Sequence, residues 1–236
     1  MQRSPSEPSR SHAISAEAPT QTGLLAGLIK GIVAVTAGAI LFGWLTLTGP
    51  GESINRDTFE PVVDALNAVP GLVSFSEVAT DAGKLRFDQF LLLALAFAAG
   101  FKLEKPGLTW SVICVAAALG LRYFQSLVTN IVGSTDPGDF AESADLVIGT
   151  AGPYFSGGVF RVVVIVGLAL SMLGLPRRKV FWIAAIGGVI EGITRMALGR
   201  HWLFDTIAAV PIGLGVLWCL VQARRILLFD LTQRVQ

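Results

Sequence analysis

Three residues near the C-terminal end have the types and the spacing to handle a phosphate group. In the stretch EGITRMALGRHWLFD, residues 191–205, Arg195 is followed by His201 and His201 by Asp205. A helix beginning near residue 200 would place His201 and Asp205, four positions apart, on one face. A carboxylate beside an imidazole fixes its tautomer and stabilises the imidazolium, leaving the other ring nitrogen as a nucleophile. A guanidinium offers a planar fork of donors that suits a phosphate. Glu191, four residues before Arg195, can be read either as the ion-pair partner that orients it or as a proton donor. The other histidine, His12, lies in a polar N-terminal stretch and reads as incidental.

The elements that must position these groups are apolar helices. The chain has 236 residues, of which 53% are hydrophobic and only 15% charged, with a mean hydropathy of +0.64. A soluble domain carries nearer a quarter charged residues. Apolar runs cover 24–48, 89–101 (beginning near Phe87), 107–132, 154–175, 180–198 and 202–222. Most approach the length of about 20 residues that a bilayer demands. The expected fold is all-α: a polytopic membrane helical bundle of about six transmembrane helices, residues 24–226, between a disordered cytoplasmic tail (1–23) and a second cytoplasmic tail (227–236).

Basic residues give the orientation. Arg3 and Arg10, Lys102 and Lys105, Arg177, Arg178 and Lys179, and Arg224 and Arg225 mark alternate connections as cytoplasmic, so both termini are expected inside. The 134–153 segment holds Asp136, Asp139, Glu142 and Asp145 without a basic residue and is expected outside. The partly amphipathic stretch 57–75 reads either as a helix along the outer interface or as a solvated loop helix. The formal net charge of +1 supplies no field for nucleic acid. Cys114 and Cys219 both lie in apolar runs and read as small core residues, and no metal or cofactor is expected.

The segment around His201 resembles the third signature of the type 2 phosphatidic acid phosphatase superfamily: Ser-Arg, five residues, His, three residues, Asp. Here it stands as Thr194-Arg195, His201 and Asp205. The family's second signature is Pro-Ser-Gly-His, and the matching stretch is Phe155-Ser156-Gly157-Gly158. The first is Lys, six residues, Arg-Pro. Arg122 can stand for its lysine, while Thr129 and Asn130 occupy the last two places. The 57–88 loop is similar to that family's first outer loop.

The resemblance implies an integral membrane phosphatase or phosphotransferase acting on a lipid phosphate or diphosphate at the outer leaflet of the cytoplasmic (inner or plasma) membrane. It implies His201 as the residue that takes the phosphoryl group and Asp205 as its partner. Arg195, Arg122, Ser156, Gly157 and Gly158 are expected to hold the phosphate oxygens. Arg161, three residues after Gly158 on the same helix, is a candidate replacement for the arginine missing from the first signature, or else a snorkelling arginine or one paired with Glu191. The Gly157-Gly158 pair can serve an anion at a helix start or merely close helix packing. Gly158 stands where the family has its general-acid histidine, and general acid catalysis contributes about 10²–10⁴-fold. Two other functions remain open: a phosphatase-like accessory subunit that binds a lipid phosphate without turnover, and a transport component in which Arg122 and Arg161 line an anion path. Membrane lipids are the expected surroundings, and protein partners are left open.

Overall fold

The computed structural model describes residues 20–48, 50–82, 85–101, 105–132 and 154–233, and the regular structure among them is all helix. Eight helices follow in order: α1 Gln21–Leu47, α2 Pro50–Asn67, α3 Leu72–Ala82, α4 Leu85–Gly100, α5 Lys105–Val132, α6 Gly157–Met172, α7 Arg177–Ala197 and α8 Leu203–Gln233. The expected all-α membrane bundle is the observed architecture. The acidic 134–153 connection and residues 1–19 of the expected tail lie outside the described residues.

Two boundaries move. α1 begins at Gln21 rather than at 24, because the Thr20 hydroxyl accepts a hydrogen bond from Gly23 N (3.2 Å) and caps the helix. α8 runs on to Gln233, so most of the expected 227–236 tail is helical; Ile226, Leu227, Leu228 and Phe229 continue the apolar run.

Four helices are long and apolar enough to cross a bilayer: Gln21–Leu47, Pro106–Val132, Arg177–Ala197 and Leu203–Phe229. α4 and α6 are apolar but have 16 residues each, roughly 24 Å at 1.5 Å per residue. They are the two of the six expected spans that fall short of the length a bilayer asks for, while α2 and α3 taken together as one bent unit are a further candidate. The exposed side chains of α1, among them Ile29, Val33, Leu41, Trp44 and Leu45, are what a lipid-facing helix presents. α2 and α3 form a pair bent by 105° across a short turn. Gly71 at φ +77° lies in that turn, in the left-handed region that a side chain disfavours.

α6 is the central helix. Val159, Phe160, Val163, Val164 and Leu168 are fully buried. Gly188 of α7 and Gly213 of α8 both face Val163, so small residues let the two neighbours approach α6 closely. The residues just before α6 are stitched to two other helices. Tyr154 Oη donates to Ala39 O of α1 (2.9 Å). From α5, Thr129 Oγ1 donates to Tyr154 O (2.7 Å) and Gln125 Nε2 to Phe155 O (3.3 Å). These bonds hold the start of α6 against α1 and the last turns of α5, and the candidate site lies there.

Candidate active site

His201 lies just before α8, not on it. Trp202 is the residue preceding the helix, and Asp205 in the first turn reaches back to accept from Trp202 N (3.4 Å). This is one half of a capping box, the return bond from the third helical residue to the N-cap N–H. His201 Nδ1 stands 3.7 Å from Asp205 Oδ2, close enough for charge interaction but too far for a hydrogen bond. The expected pair therefore forms, although the helix begins at Leu203. Both side chains are buried, His201 at 6% exposure and Asp205 at 1%.

Three of the buried polar atoms that meet no hydrogen-bond partner among the described residues belong to this region: His201 Nδ1, Asp205 Oδ1 and Ser156 Oγ. Buried polar groups are nearly always satisfied, because desolvating one without compensation is costly. Two of the segments carrying these atoms are also joined directly, since Ser156 N donates to Asp205 O (3.1 Å). Ser156 is the N-cap of α6, its hydroxyl caps nothing, and the first backbone N–H groups of a helix favour an anion.

Guanidinium groups flank the two glycines that follow. A Cβ built on Gly158 would lie 2.5 Å from Arg195 Nη2, and one on Gly157 would lie 2.7 Å from Arg161 Nη1 and still closer to the Gln125 amide. Each guanidinium is held by a carboxylate. Arg195 Nε donates to Glu191 Oε1 (2.7 Å), whose Oε2 accepts from Thr194 Oγ1 (3.3 Å). Arg161 Nε donates to Asp88 Oδ2 of α4 (2.5 Å), and its Nη1 donates to Gln125 Oε1 (3.2 Å). Of the two readings of Glu191, the geometry matches the ion-pair partner.

Ser156, Gly157, Gly158, Arg161, Arg195, His201 and Asp205 are thus joined by a chain of direct contacts around the starts of α6 and α8. Arg122 stands apart: it is exposed on α5. The polar contacts that α5 makes with the α6 start come from Gln125 and Thr129 instead. Asp88 is a partner that the sequence reading missed. The signal was present, since it lies one residue before an apolar run, and an acid entering a span requires a countercharge.

α2 covers the site. Asn55, 2% exposed, accepts from Phe204 N through Oδ1 (3.3 Å) and donates to Thr46 O through Nδ2 (3.1 Å). It satisfies one of the orphan N–H groups at the start of α8 and ties that start to the end of α1. Phe59 packs edge-on against Trp202 with ring centroids 5.1 Å apart. A narrow cleft beneath α2 is bounded by Thr58, Phe59, Val62, Met196, His201 and Leu203. Among the described residues, no three His, Cys, Asp or Glu side chains gather as metal ligands would.

The profile of the PAP2 superfamily matches residues 108–227, which takes in most of α5, all of α6 and α7, and most of α8. The chain belongs to the PAP2 superfamily. The recognition carried by Arg195, His201 and Asp205 therefore stands, and all the converging residues named above fall inside the matched stretch. A solved structure with the PAP2 fold, that of a transmembrane PAP2-type phosphatidylglycerolphosphate phosphatase from Bacillus subtilis, is similar with a TM-score of 0.60. It shares 17% sequence identity, and the match covers 86% of this chain and 95% of that one. No curated protein matches the chain. The apolar helices together with this shared fold make the PAP2 protein described here an integral membrane protein.

Proposed function

We propose that this PAP2 protein is a membrane phosphatase or phosphotransferase that acts on a lipid phosphate or lipid diphosphate at the outer leaflet, through a phosphohistidine on His201. The observation that carries the reading is the set of three buried, unpartnered polar atoms, on His201, Asp205 and Ser156, beside the paired Arg195 and Arg161 guanidiniums. The placement on the extracytoplasmic side rests on the basic residues Arg177, Arg178, Lys179, Arg224 and Arg225 at the opposite end of the bundle.

Asp205 faces Nδ1 of the imidazole, which leaves Nε2 for attack on phosphorus. A bond forms between Nε2 and phosphorus as the bond to the leaving oxygen breaks, and Asp205 offsets the charge of the phosphoimidazolium. The guanidiniums and the first N–H groups of α6 hold the equatorial oxygens, the positioned electrostatics on which phosphoryl transfer depends. Water or an acceptor hydroxyl then attacks the phosphohistidine and restores the imidazole. An alkoxide leaving group takes its proton from water, because position 158 carries no acid. A leaving phosphate is less basic and needs less help, so diphosphates are the favoured substrates.

A second reading, a lipid-phosphate-binding accessory protein without turnover, is favoured by the Arg195 guanidinium lying where a side chain at position 158 would go. The deciding experiment measures phosphate release from a panel of lipid phosphates and diphosphates, together with trapping of a phosphoprotein. Wild type is expected to turn over and to form the adduct, and His201→Ala to do neither. Tight binding of the same lipids by wild type with no release and no adduct would establish the accessory reading instead.

A further inference from the structure

The end of the bundle away from His201 carries a feature unrelated to phosphate transfer. An apolar groove of about 270 Å³ runs between α1 and α5 with α8 as its floor. Leu28, Ile32, Gly120, Leu121, Cys219 and Leu220 are among the residues that line it. Ala223 closes the groove at one end, and the next residue is Arg224. Asp205 and Arg224 stand roughly 28 Å apart along α8 at 1.5 Å per residue, about the thickness of a hydrocarbon core. The groove mouth and the His201 site therefore belong to opposite leaflets.

Arg224 is held in a fixed pose. Its guanidinium carbon lies 4.6 Å from the centroid of the Trp110 ring, a stacking contact that orients the planar fork. Trp110 itself is buried, at 6% exposure. Arg224 Nε is buried and has no hydrogen-bond partner among the described residues. Arg225 beside it is exposed, and its charge repels that of Arg177 at the start of α7. Arg178 and Lys179 are exposed next to Arg177. Among the residues whose side chains are described, the acids lie between positions 52 and 88 or at 191 and 205, on the elements gathered around the other site, and Asp230 of α8 is outside that set. So the groove ends in positive charge that no described carboxylate balances.

We propose that this groove is a second lipid site, occupied by an anionic phospholipid of the leaflet opposite the His201 site, with an acyl chain between α1 and α5 and the headgroup phosphate on Arg224 and Arg225. Charge complementarity selects the occupant. A neutral lipid would fill the apolar part and leave the Arg224 donors unsatisfied, whereas a phosphodiester satisfies both. The site needs no turnover and does not depend on the reading of His201.

The test uses the purified full-length protein in detergent, with phosphatidylglycerol and phosphatidylcholine as probes. Thermal unfolding and native mass spectrometry are the readouts. Phosphatidylglycerol is expected to raise Tm by several degrees and to remain bound at one per chain, with phosphatidylcholine giving neither effect. Arg224→Gln and Gly120→Leu are each expected to abolish the shift and the retained lipid. Gly120 is a clean place to obstruct the groove, because a Cβ there meets nothing within 4 Å. His201→Ala is expected to keep both effects. The proposal is overturned by equal stabilisation from phosphatidylcholine, by persistence of the shift in Gly120→Leu, or by its loss in His201→Ala. Should Arg224→Gln fail to fold, Arg224→Lys replaces it: a shift as large as that of wild type would remove the stacked arginine from the proposal.

Discussion

The guanidinium of Arg195 occupies the space that a side chain on Gly158 would need: a Cβ there would lie 2.5 Å from Nη2 and 2.7 Å from both Cζ and Nε. Glu191 holds the same guanidinium through Nε at 2.7 Å, and the i, i+4 spacing on α7 makes that contact local. Glycine at 158 and the inward pose of Arg195 are therefore one arrangement. The space beside position 158 is filled by a cation.

Introducing a side chain at position 158 should therefore impair the protein rather than repair it. Gly158→Ala is expected to lower phosphate release at least tenfold and to cost about 1–3 kcal/mol, the usual range for overpacking. Gly158→His should be no better. Parallel assays of release and thermal unfolding check this, and a gain of activity in Gly158→His would sink the argument.

Glu191 can be separated from a proton donor by two substitutions. Glu191→Gln keeps an acceptor for Arg195 Nε and should retain most of kcat, with KM raised severalfold. Glu191→Ala leaves a buried guanidinium without this partner and should destabilise the protein by about 3–5 kcal/mol. A collapse of kcat at unchanged KM in Glu191→Gln would reassign Glu191 to proton transfer.

The Asp88–Arg161 pair joins α4 to α6 within the bundle, with both side chains largely buried. Asp88→Ala alone should cost about 3–5 kcal/mol, and Asp88→Leu with Arg161→Met should recover much of it, as apolar replacement of a buried pair commonly does. Activity gives the second reading. If Arg161 holds phosphate, the double variant stays impaired after its Tm has recovered, whereas full recovery of activity would make the pair purely structural.

Much of this architecture was legible because lipid imposes a simple rule: long apolar runs become helices, and the runs at 24–48, 107–132, 180–198 and 202–222 each did so within a few residues at the site-facing ends. The His201–Asp205 relation was legible because it is local. What escaped was long-range or side-chain specific. Asp88 and Arg161 are 73 positions apart, and no periodicity links them. Arg122 shares a helix with Gln125 and Thr129, yet only a rotation about the α5 axis decides which of the three meets the α6 start. The 105° bend of α2 against α3, which lays α2 over His201, depends on a turn whose partners are far away in sequence.

Asn55 tests that cover. Asn55→Ala orphans the Phe204 N–H and the Thr46 carbonyl that it now satisfies, at an expected cost of about 1–3 kcal/mol. Hydrogen exchange at Phe204 should accelerate, and phosphate release should fall because Asp205 lies on the same first turn. Unchanged exchange at Phe204 would mean that the turn is held by other contacts.

The pairing of every site arginine with a carboxylate has a consequence for how a substrate arrives. Arg161 pairs with Asp88 and Arg195 with Glu191, while Asp205 faces His201, so the formal charges of these two arginines and three acids sum to minus one. Such a pocket has no long reach: it cannot draw an anion through solvent, and its hold on phosphate acts only at contact distance, where ionic strength has little influence. Capture would then be governed by two-dimensional collision within the leaflet, with rates set by membrane viscosity and surface concentration rather than by salt.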